Sequence, residues 1–302
     1  MTLHDTVRAL AAEKQALILA HNYTLPEVQD AADFIGDSLE LSRKAAACKA
    51  QTIIFCGVRF MAETAKILSP EATVILPNPH AGCPMADMAT AEAVRTWKQE
   101  HPDALIVAYV NTTAETKTEV DICVTSGNAK EILLGLPADR EILFLPDANL
   151  GANMMAETGR KLTLWPGCCP THGNLTPETV KAARAAHPNA VVMVHPECRP
   201  AVVALADAAL STGGMLRYAK TSPARDFLVG TEVGLLHRLR QENPEKTFTP
   251  LEPRILCPNM KRTSLEDVLF ALRDGGGEVI ELDTAVMDRA RKPILEMLNR
   301  CS

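Results

Sequence analysis

The sequence predicts an α/β protein built from three pseudo-threefold-related α/β/α sandwich units, whose parallel sheets surround a central cavity. Three observations carry this prediction. An apolar run ending in polar residues recurs as ALILAHNY (16–23), ALIVAYVN (104–111) and AVVMVHPE (190–197), which places His21, Tyr109 and His195 88 and then 86 residues apart. A short segment containing cysteine recurs as VILPNPHAGCP, LTLWPGCCP and RILCPNM, with Cys83, Cys169 and Cys257 spaced by 86 and 88. Beyond each cysteine an amphipathic helix opens on a capping signal, in TAEAVRTWKQEHPDA, TPETVKAARAAHPNA and TSLEDVLFALRDG.

Within a unit the elements follow in order. The first apolar run is a strand. Next comes an acidic residue followed by Ser or Thr near glycine, in ADFIGDS, VDICVTSG and ADAALSTGG. A second apolar run, IIFCG, ILFLPD or FLVGTE, is a strand leading into an amphipathic helix such as GVRFMAETAKIL. The cysteine segment supplies a third strand and the capped helix closes the unit. Buried runs alternating with helices imply small parallel sheets covered on both faces. The predicted units span 1–87, 88–173 and 174–275, with 276–302 read as a strand and helix returning to complete the first.

Composition narrows the function. The 302 residues are 47% hydrophobic and 23% charged with a net charge of -6, and their Lys and Arg are scattered, which favours a small-molecule site over a nucleic-acid or membrane partner. No apolar stretch reaches the roughly 18 residues of a membrane helix, and the N-terminus patterns as an amphipathic helix, so a cytoplasmic location is expected. Nine cysteines, an odd number widely spread, argue against a disulfide framework and toward metal or redox chemistry.

Ligands of open parallel sheets sit outside the carboxyl ends of the strands. His21, Asn22, Tyr23, Tyr109, Asn111, His195 and Glu197 fall at those ends and are expected to converge, with three cysteines, on one cavity. One thiolate from each unit gives three ligands and an open fourth position, which suits a catalytic metal or a [4Fe-4S] cluster with one iron not held by protein. Cys168 competes with Cys169 for the same role. Cys48, Cys56, Cys123, Cys198 and Cys301 lack repeat partners and are read as structural or incidental. Ser38, Ser126, Ser211 and Thr212 lie where helices begin, and three such ends would hold a dicarboxylate or a phosphate. His101 and His187, each before Pro, are structural; His172 stands with His21 and His195 as functional, and Tyr23 and Glu197 are the acid and base candidates.

The strings AHNYTLPEVQDAADFIGDSLELSR, FCGVRFMAETAKIL, LPNPHAGCPMADM, AYVNTTAETK, FLPDANLGANM, WPGCCPTHG, VHPEC, STGGMLRYAK, VGTEVGLLHRL and CPNMKRTSLEDV together resemble the quinolinate synthase family. The resemblance implies condensation of iminoaspartate with dihydroxyacetone phosphate to quinolinate, with loss of phosphate and two waters, in NAD biosynthesis. It also implies a [4Fe-4S] cluster on Cys83, Cys169 and Cys257. The motif W-x-G-x-C-x-x-H fits Trp165, Gly167, Cys169 and His172. Some relatives carry C-x-x-C-x-x-C at the third ligand; here only Cys257 stands there, which leaves no redox disulfide beside the cluster. By the same resemblance His21 and Ser38 hold a substrate carboxylate, while Tyr109, Asn111, Ser126, His195, Glu197, Ser211 and Thr212 line the substrate site. Tyr23, Glu197, His195, Tyr109 and His172 carry the catalytic roles. An aspartate oxidase or dehydrogenase is implied as the transient supplier of the imine. Two alternatives keep the three-cysteine site: a cluster-dependent hydro-lyase acting on a small hydroxy acid, and a metal-sensing binding protein.

Overall fold

The computed structural model describes residues 2–300, so Cys301 lies outside the described residues. The first sheet contains β1 (Ala16–His21), β2 (Phe34–Gly36), β3 (Thr52–Cys56) and β4 (Thr73–Leu76). The second contains β5 (Leu105–Tyr109), β6 (Ile122–Val124), β7 (Ile142–Leu145) and β8 (Thr163–Leu164). The third contains β9 (Val191–Val194), β10 (Ala208–Ala209), β11 (Asp226–Gly230) and β12 (Thr247–Pro250). The spatial orders are β2-β1-β3-β4, β6-β5-β7-β8 and β10-β9-β11-β12, all parallel, so one topology is laid down three times. A last strand, β13 (Glu278–Val279), joins the first sheet antiparallel to β4.

Each unit thus holds four parallel strands where the sequence predicts three. The additional strands β2, β6 and β10 are two or three residues long and sit inside the acidic segments. Elements so short carry no periodicity of their own. What fixes them is the acid itself. The Asp33 carboxylate accepts the Ile18 N–H at 2.8 Å while the Asp33 N–H donates to the Ile18 carbonyl at 2.9 Å. Asp121 makes the same pair of bonds with Ile106 and Asp207 with Val192, each carboxylate at 2.7 Å from the amide nitrogen. The aspartate thereby completes the ladder of the central strand just before the short strand begins. A basic residue on the preceding helix holds each one: Arg8 at 2.7 Å from Asp33, Lys98 at 3.9 Å from Asp121 and Arg184 at 2.9 Å from Asp207. The same side chains donate to the carbonyls of Ala31, Glu119 and Leu205.

The helices that follow the three cysteine segments are capped as the sequence predicts. Thr90 accepts from Ala93 N, Thr176 from Thr179 N, and Ser264 from Asp267 N in a capping box. His101 and His187 end two of them as non-helical caps, and His101 stacks on Trp97 and meets Glu141 at 3.0 Å, a structural duty. The cores are aliphatic and built around fully buried Phe55, Phe144 and Phe227, and Cys56, Cys123 and Cys198 are buried in them. The helix Thr284–Asn299 follows β13 and packs on β6, on the helix Ala114–Lys117 and on the helix Arg59–Leu68, tying the first two sheets together. No helix among the described residues is long and apolar enough to cross a membrane.

The aspartate device gives a direct expectation. Asp121→Ala strips the acceptor from a strand amide and should cost about 1–3 kcal/mol in urea unfolding. Lys98→Ala removes only a half-exposed partner and should cost under about 1 kcal/mol. Equal losses for the two would count against the role assigned to the carboxylate.

Candidate active site

The central strands β1, β5 and β9 end facing a cavity of about 160 Å³ lined from all three units. Each contributes two residues spaced by one: His21 and Tyr23, Tyr109 and Asn111, His195 and Glu197. Ser38, Ser126, Thr212, His172, Cys83, Cys169 and Cys257 complete the set that the sequence predicts and the structure brings together. Cys168 does not line the cavity; its N–H meets the Met88 sulfur at 3.4 Å on the outer side. Among the described residues no Lys or Arg side chain lines the cavity, while Asp37, Glu197 and Glu232 do, so donors to an anion there are neutral groups and the starts of helices.

Two of the expected residues lie elsewhere. Asn22 is fully buried but faces the junction between the first and third units, its Nδ2 donating to Thr212 Oγ1 at 2.8 Å and its Oδ1 accepting from Arg238 at 2.9 Å. Asn22 sits in the turn that leaves β1, closed by the Thr24 N–H on the His21 carbonyl at 3.0 Å, and is directed away from the cavity that His21 and Tyr23 line. Ser211 caps the helix Thr212–Thr221 by accepting from Gly214 N and donates to Asp37 Oδ2 at 3.2 Å, so its hydroxyl is committed to the scaffold. Of the other expected helix starts, Ser38 stands at one and Ser126 does not. Ser38 is the first residue of the helix Ser38–Ala46, whose cap is Asp37, and Ser126 lies in the turn before the Asn128 cap.

A chain of hydrogen bonds runs through the cavity wall. Tyr109 Oη donates to Glu197 Oε1 at 2.5 Å, and His172 Nδ1 meets Glu197 Oε2 at 2.7 Å. Nε2 of the same ring lies 2.9 Å from Thr231 Oγ1, which in turn lies 2.5 Å from Tyr23 Oη. With the Glu197 carboxylate ionised, His172 carries its proton on Nδ1, and the chain runs Tyr23 to Thr231 to His172 to Glu197 by donation. Burial pushes Glu197 up, but the adjacent His172 and His195 rings and the bonds from His172 and Tyr109 outweigh it and hold the acid well below the usual carboxylate range. Burial, then the charge of Glu197, raises both Tyr23 and Tyr109, so each keeps its proton. Sequence alone does not single out Thr231. It lies inside the recurring FLVGTE segment, one residue past β11, and that position is its only signal.

His21 and His195 share a local device. The N–H two residues on, of Tyr23 or Glu197, donates to Nδ1 at 3.2 and 3.3 Å, which leaves Nε2–H as the donor of each ring. Burial lowers both to about 3, so both rings are neutral donors at physiological pH. Asn111 Oδ1 is buried with no hydrogen-bond partner among the described residues, an acceptor left for a ligand.

The three thiols are held up by burial, Cys83 to about 12. A thiol so placed gives up its proton to a metal rather than to solvent. Two buried carboxylates stand behind them. Asp147 Oδ2 accepts the Cys169 N–H at 3.1 Å, and Glu232 Oε1 accepts the Cys257 N–H at 3.2 Å. Glu232 also pairs with Lys261 at 2.9 Å, and Lys261 donates to the Tyr23 carbonyl.

The family model described as quinolinate synthetase A protein matches residues 5–299 of this chain. Among curated relatives named quinolinate synthase, one from Thermus thermophilus is 50% identical over 98% of this chain and 96% of its own. That of Methanoregula boonei is 50% identical over 98% and 97%, and that of Dehalococcoides mccartyi (strain CBDB1) is 51% identical over 89% and 88%.

The buried histidines set a pH dependence of stability. In the folded chain His21 and His195 take up protons only near pH 3, whereas the unfolded chain does so near its ordinary 6.5. Between those values the unfolded state binds more protons, so stability falls as pH drops below 6.5, by up to ~1.4 kcal/mol per pH unit for each ring. The depressed Glu197 acts in the same direction at lower pH. Thermal unfolding from pH 7.5 to 5 should show the midpoint falling, with a shallower fall in His21→Asn; a midpoint that rises on acidification would contradict the assignment.

Proposed function

The chain belongs to the quinolinate synthetase A family and is an enzyme, and from that premise we propose that it condenses iminoaspartate with dihydroxyacetone phosphate to form quinolinate. Phosphate and two waters leave, and the reaction serves NAD biosynthesis in the cytoplasm. A [4Fe-4S] cluster on Cys83, Cys169 and Cys257 is the proposed cofactor. The observation that carries this reading is the arrival of one thiol from each unit in the cavity that also holds Tyr23, His172 and Glu197.

The donor set fits such a group. Three soft thiols, each from a different sheet, supply three ligands and leave one position open. A rival grouping, Cys169 with His172 and Glu197, has its donor atoms within 4.8 Å of one another and would suit a single ion. His172 and Glu197 are already committed to each other at 2.7 Å and to Thr231 and Tyr109, so we read that grouping as proton-transfer machinery. When bound, the cluster supplies a Lewis acid that polarises a nitrogen, carboxylate or hydroxyl of the substrate.

The chain's own residues do the rest. The Nε2–H groups of His21 and His195 and the hydroxyls of Ser38 and Thr212 bind carboxylate oxygens. The free oxygen of Asn111 accepts an N–H or O–H of substrate and fixes its orientation. Ionised Glu197, oriented by the donated chain that runs from Tyr23 through Thr231 and His172, takes a proton from carbon or nitrogen. Tyr23, protonated and at the far end, delivers a proton to a hydroxyl leaving as water. Iminoaspartate hydrolyses quickly, so an aspartate oxidase or dehydrogenase supplies it at short range.

Anaerobic reconstitution with iron and sulfide analysis tests the reading. Wild type and Cys168→Ala should hold about four irons per chain and Cys169→Ala should not. Glu197→Gln should keep its iron and lose about 10²–10⁴-fold in quinolinate formation. Zinc or no metal in the reconstituted wild type would overturn the cluster, and full activity in Glu197→Gln would overturn its role.

A further inference from the structure

In all three units the loop that carries the cysteine is stitched to the end of the third strand by an equivalent backbone bond. Arg59 N donates to Ala81 O at 2.8 Å, Ala148 N to Gly167 O at 2.8 Å, and Val233 N to Ile255 O at 3.0 Å. Each acceptor lies two residues before its cysteine, and each donor follows Val58, Asp147 or Glu232. In the second and third units the residue at that place is a fully buried carboxylate, and it returns the bond by accepting the cysteine's own N–H. The first unit has Val58 and closes the same loop without it, so the fold itself does not require an acid there.

We propose that Asp147 and Glu232 are positioning residues for the metal-holding cysteines. The assignment rests on the reading that these cysteines hold a metal group. Each carboxylate divides its oxygens. Asp147 Oδ1 caps the helix Ala148–Thr158 through Leu150 N at 2.9 Å, while Oδ2 holds Cys169. Glu232 Oε2 takes Gly234 N at 2.7 Å and the Lys261 ammonium, while Oε1 holds Cys257. One oxygen therefore anchors to the scaffold and the other fixes the peptide from which the thiol projects. A carboxyl oxygen accepts that bond whether or not the acid is ionised, and partners of this kind orient metal ligands and slow metal loss. Cys169 and Cys257 are thereby held from behind by side chains, and Cys83 by backbone alone.

The amide variants separate the two oxygens. Asp147→Asn and Glu232→Gln can keep the scaffold-side bond while turning an NH₂ toward the cysteine N–H, donor against donor. Asp147→Ser is a second variant that retains a helix cap but is too short to reach Cys169. The full-length protein, reconstituted anaerobically, is challenged with an iron chelator, and iron release is followed optically beside the EPR spectrum and the thermal midpoint. All three variants should fold, with a thermal midpoint lowered as in Asp121→Ala, which also strips a backbone amide of its acceptor, yet release iron about tenfold or more faster than that variant and wild type, within the 10–100-fold range typical of such partners. Release at the wild-type rate from variants that load iron overturns the assignment alone. A wild type that takes up no iron overturns the metal reading, and this assignment with it.

Discussion

Glu197 is held ionised at 4% exposure, and a carboxylate so deeply placed survives only where hydrogen-bond donors replace the water it has lost. Among the described residues its own unit supplies no such donor to its oxygens. Tyr109 comes from the end of β5 in the second sheet, and His172 comes from the turn beyond Cys169. The charge can therefore exist only when two units are docked and the cysteine loop is in place. His172 in turn is held by Thr231 from the third sheet, which also holds Tyr23 from the first. One buried charge thus draws in all three sheets, and the cavity exists because their central strands must end together to satisfy it.

The scaffold repeats while the chemistry does not. At the end of the central strand, the same two places are filled by His and Tyr, by Tyr and Asn, and by His and Glu. Each pair sits where the chain leaves the carboxyl end of its central strand, so every unit offers two residues to the common cavity. Where the first residue is His, the bond from the N–H two residues on selects its tautomer, so the repeat also sets the proton on the ring. The neutral rings of His21 and His195 and the ionised Glu197 therefore face one cavity, two of the three from the same unit.

Much of this is legible in the sequence, for identifiable reasons. Long apolar runs mark β1, β5 and β9 because strands buried on both faces need them, and the equal spacing of Cys83, Cys169 and Cys257 marks three equivalent loops. The strands β2, β6 and β10 are hidden because their register is fixed by an aspartate side chain, which looks like a loop residue until its amide partner is seen. Asn22 and Ser211 belong to the right segments but point into the contact between units; adjacency in sequence does not choose the face when two units dock. Thr231 carries no pattern, since its role arises from a ring supplied 59 residues earlier in the chain.

Recurrence within the chain separates the demands of folding from those of chemistry. Asp33, Asp121 and Asp207 appear in all three units because every central strand presents the same unpaired amide; the requirement is local and identical each time. Residues that change identity at equivalent places, such as Tyr23, Asn111 and Glu197, meet in one cavity whose three sides therefore differ. The cysteines break this division, being identical in all three units while meeting no need of their own sheets. Cys169, at the cap position of the helix Pro170–Gly173, makes no side-chain cap bond. Their threefold recurrence brings one thiol from each unit to a single cavity, which Cys168, adjoining the repeat position without occupying it, does not line.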